Sequence, residues 1–215
     1  RPYATGGLVL PRGVRNNQFR VSLIKNGEKI KSMIGLGIVG GFALLPAHFF
    51  RHRGVDGESR IIVEQMEMVY ERGKQKKHLC FDHRRLLHWV DDTGVLDLVG
   101  YDFGTTVECF ADIRGHFVDY DKVDNACVVD ALFSKFQQED IPERAMMNLK
   151  RVYYNGQNND AANAESYIGN YWSYSCKTYG DCGAVLYSEK YGVMGMHTAV
   201  ELPNKRHGGV GMAVR

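Results

Sequence analysis

Apolar and polar positions alternate along most of this chain, and helical spacing is scarce. Phe19-Arg20-Val21-Ser22-Leu23-Ile24-Lys25 alternates as a strand with one buried face does, and Asn26-Gly27 then marks a tight hairpin turn. Residues 29–33 read as the return strand. Residues 35–45 read as a further strand, punctuated by glycines where barrel strands bend or approach another backbone. Residues 60–70 alternate again, Ile61, Val63 and Gln65 against Ile62, Glu64 and Met66. Single helical turns are predicted at 47–53 and 142–147. Residues 155–165, rich in Asn, Ala and Asp, read as a long exposed loop. Strands resume at 166–176, 184–188, 192–198 and 209–214. Many short strands separated by turn signals predict an all-β barrel or sandwich.

With 215 residues, 44% of them hydrophobic, the chain can bury a sizeable core, and two β-barrels of roughly 100 residues each would fit. The acidic, polar stretch 119–130 is the linker expected between an N-terminal barrel at 1–118 and a C-terminal barrel at 131–215. A net charge of +2 argues against a general polyanion-binding role, although Lys74-Gln75-Lys76-Lys77-His78 and Arg84-Arg85 are local basic runs. No run of ~18 apolar residues predicts a membrane span, and no signal-peptide core opens the sequence. The five cysteines, Cys80, Cys109, Cys127, Cys176 and Cys182, are odd in number and lack metal-ligand spacing. A reducing compartment fits them better than a disulfide framework, and no metal or cofactor is implied.

Cys182 carries the chemistry. It lies in Gly180-Asp181-Cys182-Gly183, a turn in which flanking glycines let backbone N–H groups converge on one point. A cysteine presented this way is a nucleophile, with the N–H groups of Gly180, Asp181 and Cys182 as the oxyanion donors. His48 follows the apolar, glycine-rich run and opens a turn, the position of a general base beside a thiolate. His52, His78, His83, His88, His116 and His207 lie in polar or basic contexts and read as surface residues. A carboxylate must orient the base, and the candidates are Asp97, Asp91, Asp92, Glu64 and Glu67. Asp97 is favoured, because Val95-Leu96-Asp97-Leu98-Val99 sets a charge in an apolar stretch, where it needs a partner.

Together these segments resemble the chymotrypsin-like cysteine proteases of positive-strand RNA viruses, the picornavirus 3C-like family. Gly180-Asp181-Cys182-Gly183 resembles the family's Gly-x-Cys-Gly, and Gly195-Met196-His197-Thr198-Ala199 its Gly-x-His-x-Ala-Gly. Phe110-Ala111-Asp112-Ile113-Arg114 resembles the Phe-Arg-Asp-Ile-Arg of the interdomain connection. The resemblance implies two six-stranded antiparallel β-barrels with the active site in the cleft between them. It also implies a cysteine endopeptidase that processes a viral polyprotein in the cytoplasm of the host cell. In such enzymes the histidine matching His197 lines the pocket for the P1 side chain and donates to a glutamine, with glutamate second. That role needs a neutral ring, its other nitrogen engaged, and Tyr174 is the candidate partner. Thr178, Ala199 and Val200 complete the implied substrate groove. Val200 stands where the family has glycine, and Ala184 replaces the second glycine after the nucleophile. Ala111 replaces the first arginine of the connection, which leaves Arg114 as the candidate RNA contact.

The implied substrates are the viral polyprotein and host proteins, with viral RNA as a weaker partner. A terminus released by the enzyme's own cut after glutamine would end in Gln or Glu. The sequence ends Val214-Arg215, so either residues follow or P1 is not glutamine. Two rivals remain: an RNA-binding regulatory domain on a protease fold, and a serine-protease-like enzyme of cellular origin.

Overall fold

The computed structural model describes residues 8–53, 59–61, 66–91, 94–117, 128–148, 154–155, 166–167, 171–174, 182–201 and 208–213. A five-residue helix, α1 (Arg12–Asn16), precedes the first strands, β1 (Gln18–Lys25), β2 (Glu28–Val39) and β3 (Phe42–Pro46). After a 3₁₀ turn at Ala47–Phe49 come β4 (Arg51–Arg53), β5 (Ser59–Ile61), β6 (Glu67–Arg72) and β7 (Gln75–Cys80). A second 3₁₀ turn, His83–Arg85, leads to β8 (Leu86–Asp91) and β9 (Gly94–Asp102), and a third lies at Arg114–His116. The second half holds β10 (Val128–Ser134), β11 (Ile141–Asn148), β12 (Tyr154–Asn155), β13 (Ser166–Tyr167), β14 (Tyr171–Tyr174), β15 (Val185–Ser188), β16 (Gly192–Glu201) and β17 (Gly208–Ala213).

The first half is a seven-stranded antiparallel sheet in the order β7-β6-β1-β2-β3-β9-β8, where the family resemblance implied six strands. The sheet curls around one core. Met68 and Tyr70 near one edge share a buried cluster with Leu86 and Tyr101 at the other. Aromatic rings fill that core, Phe19 meeting Tyr70 at 5.1 Å and Phe103 at 5.5 Å between centroids. The second half is a closed barrel, β10-β11-β14-β17-β16-β15, around Phe133, Trp172, Leu186 and Met194. A third cluster joins the halves: Leu36, Ile38, Leu44 and Leu98 of the first pack with Leu132, Val185, Val193 and Met196 of the second. The chain is therefore all-β, with a barrel-like half on each side of a shared apolar seam.

Local chemistry explains most of the strand boundaries. Asn26 and Gly27 both take positive φ, 52° and 78°, as a two-residue hairpin turn matched to strand twist requires. The glycine-rich segment expected as one strand is two. β2 runs on to Val39, the chain turns at Gly40-Gly41, and β3 returns, with Gly40 at φ 57°. Gly37 is needed for a different reason: a Cβ there would stand 2.0 Å from the Phe110 ring, which lies against β2.

Three further expectations are corrected. The turn predicted at 142–147 lies within strand β11, whose Pro142 pairs with Leu132 of β10. The pairing of β11 with β14 begins only at Met146, so the missing N–H of Pro142 interrupts no second ladder. The helical turn predicted at 47–53 is a 3₁₀ turn followed by strand β4. Val128–Asp130, read as the end of the linker, already belong to β10, while residues 118–127 lie outside the described residues.

Candidate active site

The register of β3 against β9 brings an acid to His48. Leu45 pairs with Val99 and Pro46 with Leu98, so the next residue of β9, Asp97, falls beside the turn that carries His48. Its carboxylate grips the histidine twice. Oδ1 accepts the His48 backbone N–H at 2.9 Å, and Oδ2 lies 2.8 Å from ring Nδ1. This fixes the ring's rotation and makes Nδ1 the protonated nitrogen, leaving Nε2 for a second partner. Asp97 is 1% exposed, so its charge acts in a poorly solvated place.

Of the other candidate acids, Glu67 is exposed and bonded to His78. The side chain of Asp91 lies outside the described residues, as do Asp92 and Glu64. Among the histidines expected at the surface, His78, His83 and His116 are exposed. His207 and the side chains of His52 and His88 lie outside the described residues.

Cys182 follows from the opposite half. Its turn is pinned between the two sheets. Ile34 of β2 donates its N–H to the Cys182 carbonyl at 2.9 Å, and Gly183 donates to the His197 carbonyl of β16 at 2.7 Å. The His197 N–H returns to the Ala184 carbonyl at 2.8 Å. Gly183 takes φ 92°, and a Cβ there would lie 1.7 Å from the Ile34 carbonyl oxygen, so only glycine fits. The thiol is buried among core residues of the first half, with Sγ 3.9 Å from the Thr198 carbonyl.

Cys182 lies close enough to His48 to act on its ionisation. Burial alone would lower the basicity of His48. The Asp97 charge and hydrogen bond, with the hydrogen bond and charge of Cys182, outweigh it and raise its pKa to about 10. The arrangement favours a charged ring at neutral pH.

His197 lies on the other side of the nucleophile, 1% exposed inside the closed barrel. The Tyr174 hydroxyl is 2.6 Å from its Nδ1, and the edge of Phe133 packs at 5.4 Å. Between Tyr174 on β14 and His197 on β16 runs β17, where Gly209 pairs with Tyr174 and Gly211 with His197. Thr198 is buried where the register of β16 against β17 shifts, and Ala199 and Val200 continue the strand. Gly180, Asp181 and Thr178 lie outside the described residues, so of the expected oxyanion donors only Cys182 is described. Arg114 is exposed, with Nε and an amino group bonded to Asp112 at 3.0 and 2.7 Å.

Sequence reasoning missed several residues that hold the parts together. Asn17, fully buried, donates through Nδ2 to the carbonyls of Gly37 and Ala111 at 2.9 and 2.7 Å. Its Oδ1 accepts the Ala111 N–H at 3.1 Å, which clamps the Phe110-to-Arg114 segment to β2. Gln18, also buried, donates to the Ser134 carbonyl at 3.1 Å across the seam. The available signal was two adjacent polar residues where an alternating strand begins.

No family model matches the sequence, and no curated protein is similar to it in sequence. Solved structures are similar in shape. The Rv3671c protease from M. tuberculosis in its active form superposes with a TM-score of 0.55 at 12% identity, covering 94% of this chain and 78% of that one. The MamO protease domain from Magnetospirillum magneticum gives 0.53 at 13% identity, covering 94% of each. The HRV-C 3C protein with rupintrivir gives 0.50 at 17% identity, covering 94% and 95%. These likenesses show the fold: two chymotrypsin-like antiparallel barrels. Among the described residues, no helix is long and apolar enough to cross a membrane.

Proposed function

We propose that this chain is a cysteine endopeptidase. The observation that carries the reading is the doubly held His48, kept cationic by Asp97 next to Cys182. The Cys182 thiolate attacks the scissile carbonyl carbon, and the carbonyl electrons move onto oxygen. Backbone N–H groups of the Gly180-to-Cys182 elbow hold that oxyanion. The imidazolium of His48 gives its proton to the leaving amine, and the C–N bond breaks to leave a thioester. Neutral His48 then takes a proton from water, whose oxygen attacks the thioester and expels the Cys182 thiolate, which releases the acid and restores the starting pair. Asp97 stays ionised throughout and orients the ring.

The finer reading rests on the sequence motifs. Their order and spacing support a 3C-like enzyme of a positive-strand RNA virus that cuts the viral polyprotein in the reducing host cytoplasm. His197 supports a preference for Gln at P1, with Glu second. A neutral ring held by a phenol can donate to an amide carbonyl, a hydrogen bond that a side chain without an acceptor does not make. Cleavage of a peptide library, with sites mapped by mass spectrometry, tests activity and specificity together. Cuts after Gln that vanish in Cys182→Ala are expected. Cuts mainly after Arg or aliphatic residues would overturn the P1 assignment. Salt-sensitive RNA affinity with no turnover would replace the peptidase by an RNA-binding domain on the same fold.

A further inference from the structure

Strand β2 touches both members of the catalytic pair. At Ile34 its backbone N–H holds the Cys182 carbonyl at 2.9 Å. At Lys31 its side-chain Nζ donates to the His48 carbonyl at 2.8 Å. One strand thus braces the nucleophile's turn and the base's turn.

The local backbone is built to aim Lys31. Leu23 pairs with Lys31 but Ile24 pairs with Lys29, so Ile30 is an extra, bulged residue in the hairpin. Bulges turn the following side chain and tighten strand twist. Beyond the bulge, Lys31 shares the face of Met33, which is buried in the first core. Lys31 is half-buried at a position where alternation calls for an apolar residue. Its stem can lie along the rim of the core while the ammonium reaches the His48 turn. That turn is a short 3₁₀ segment ending at Phe49, and the Lys31 hydrogen bond anchors its His48 carbonyl.

We propose that Lys31 is a positioning residue for the peptidase reaction. Acting through the His48 carbonyl, it sets the distance of the base from Cys182. His48 is then fixed at three points: ring and N–H by Asp97, carbonyl by Lys31. Asp97 sets the ring's rotation, and Lys31 stops the turn from drifting away from β2. Errors of about 1 Å in such placement cost on the order of 10²-fold in rate.

This inference rests on the cysteine-peptidase reading, and the experiment separates the two. Lys31→Met keeps the stem and removes the ammonium; Lys31→Arg restores a cationic donor. Steady-state kinetics on a cleaved peptide, the iodoacetamide alkylation rate of Cys182 followed by peptide mapping, and Tm are measured for both, with Cys182→Ala alongside. The expected result for Lys31→Met is a kcat lower by about 10- to 100-fold. KM should stay near wild type, and Cys182 alkylation should slow by a similar factor at unchanged Tm. Lys31→Arg should recover most of both rates. Wild-type kcat and alkylation in Lys31→Met, beside a dead Cys182→Ala, would overturn the role of Lys31 and leave the peptidase intact. A raised KM at unchanged kcat would also overturn it, by making Lys31 a substrate contact. Wild-type turnover in Cys182→Ala would sink the peptidase reading and this inference with it.

Discussion

His48 stands at the rim of the seven-stranded sheet against a buried carboxylate, whereas His197 stands inside the closed barrel against a phenol. The two rings flank the same cysteine turn, which is bonded to β2 on one side and to β16 on the other. The partners give the rings different chemistry. A carboxylate stabilises an imidazolium, so His48 can store a proton and deliver it. A hydroxyl next to Nδ1 fixes a tautomer without supplying a charge, so His197 is suited to recognise a neutral amide. Exposure differs in the same sense. The His48 side chain is 28% exposed, whereas His197 is 1% exposed.

The largest effect should come from removing the charge on the first histidine. Asp97→Ala and Asp97→Asn should each lower kcat/KM by roughly 10- to 10³-fold, below the ~10⁴ of a serine triad, because a thiol needs less help from the base than a hydroxyl does. Asp97→Ala also strips the acceptor from the His48 N–H, at a cost of about 1–3 kcal/mol in stability. Glu67→Ala is the control and should match wild type, since Glu67 is occupied with His78 at the surface. Near-normal kinetics in Asp97→Ala would break the contrast between the two histidines at its first term.

The same pair has a pH signature in stability. The folded chain holds the His48 proton to about pH 10, against an ordinary value of 6.5. At His48 the folded state therefore binds more protons between those values, and this group's contribution to stability falls as pH rises through them. The contribution is complete below about 6.5 and gone once pH passes about 10. Urea melts of wild type at pH 6 and pH 9.5 should show this loss, and His48→Ala should flatten it. An equal decline in both proteins would place the effect elsewhere.

These two sites were legible to different degrees. The Cys182-Gly183 and Asn26-Gly27 turns are short-range patterns, in which the residues that shape the backbone are neighbours in sequence. Asp97 was legible for a different reason: a carboxylate inside an apolar run has to find a partner. What sequence could not supply was register, since the meeting of Asp97 and His48 depends on β3 pairing with β9. Asn17, Gln18 and Lys31 were invisible for the same reason, as each acts on a segment distant in sequence. The glycines at 40–41 were misread because a glycine can mark a bend in a strand or its end. Pro142 suggested a helical turn, yet an edge-like stretch of strand tolerates it as well.

On the second histidine the expected effect is on choice rather than speed. His197→Leu should erase the preference for Gln over Leu at P1. That preference is expected at about 10- to 100-fold, matching the ~1–3 kcal/mol at stake in a buried hydrogen bond. Turnover of the best remaining substrates should persist, because Cys182, His48 and Asp97 are untouched. A uniform loss of activity with selectivity intact would make His197 a structural residue, and the two-histidine contrast would fail at its second term.

The smallest effect tests the phenol itself. Tyr174→Phe removes one hydroxyl from a buried site and keeps the ring that packs against Phe133. A single neutral hydrogen bond contributes about 1 kcal/mol, so discrimination should fall only several-fold. Its direction is more telling than its size. With the hydroxyl donating to Nδ1, the opposite nitrogen keeps its proton and presents it to the amide carbonyl of Gln. Without it, that hydrogen bond no longer opposes protonation of Nδ1, and a charged ring favours Glu. The ratio of cleavage after Gln to cleavage after Glu should therefore drop in Tyr174→Phe, and drop further at pH 6 than at pH 8. A ratio unchanged at both pH values would mean that the phenol packs beside His197 without governing its charge.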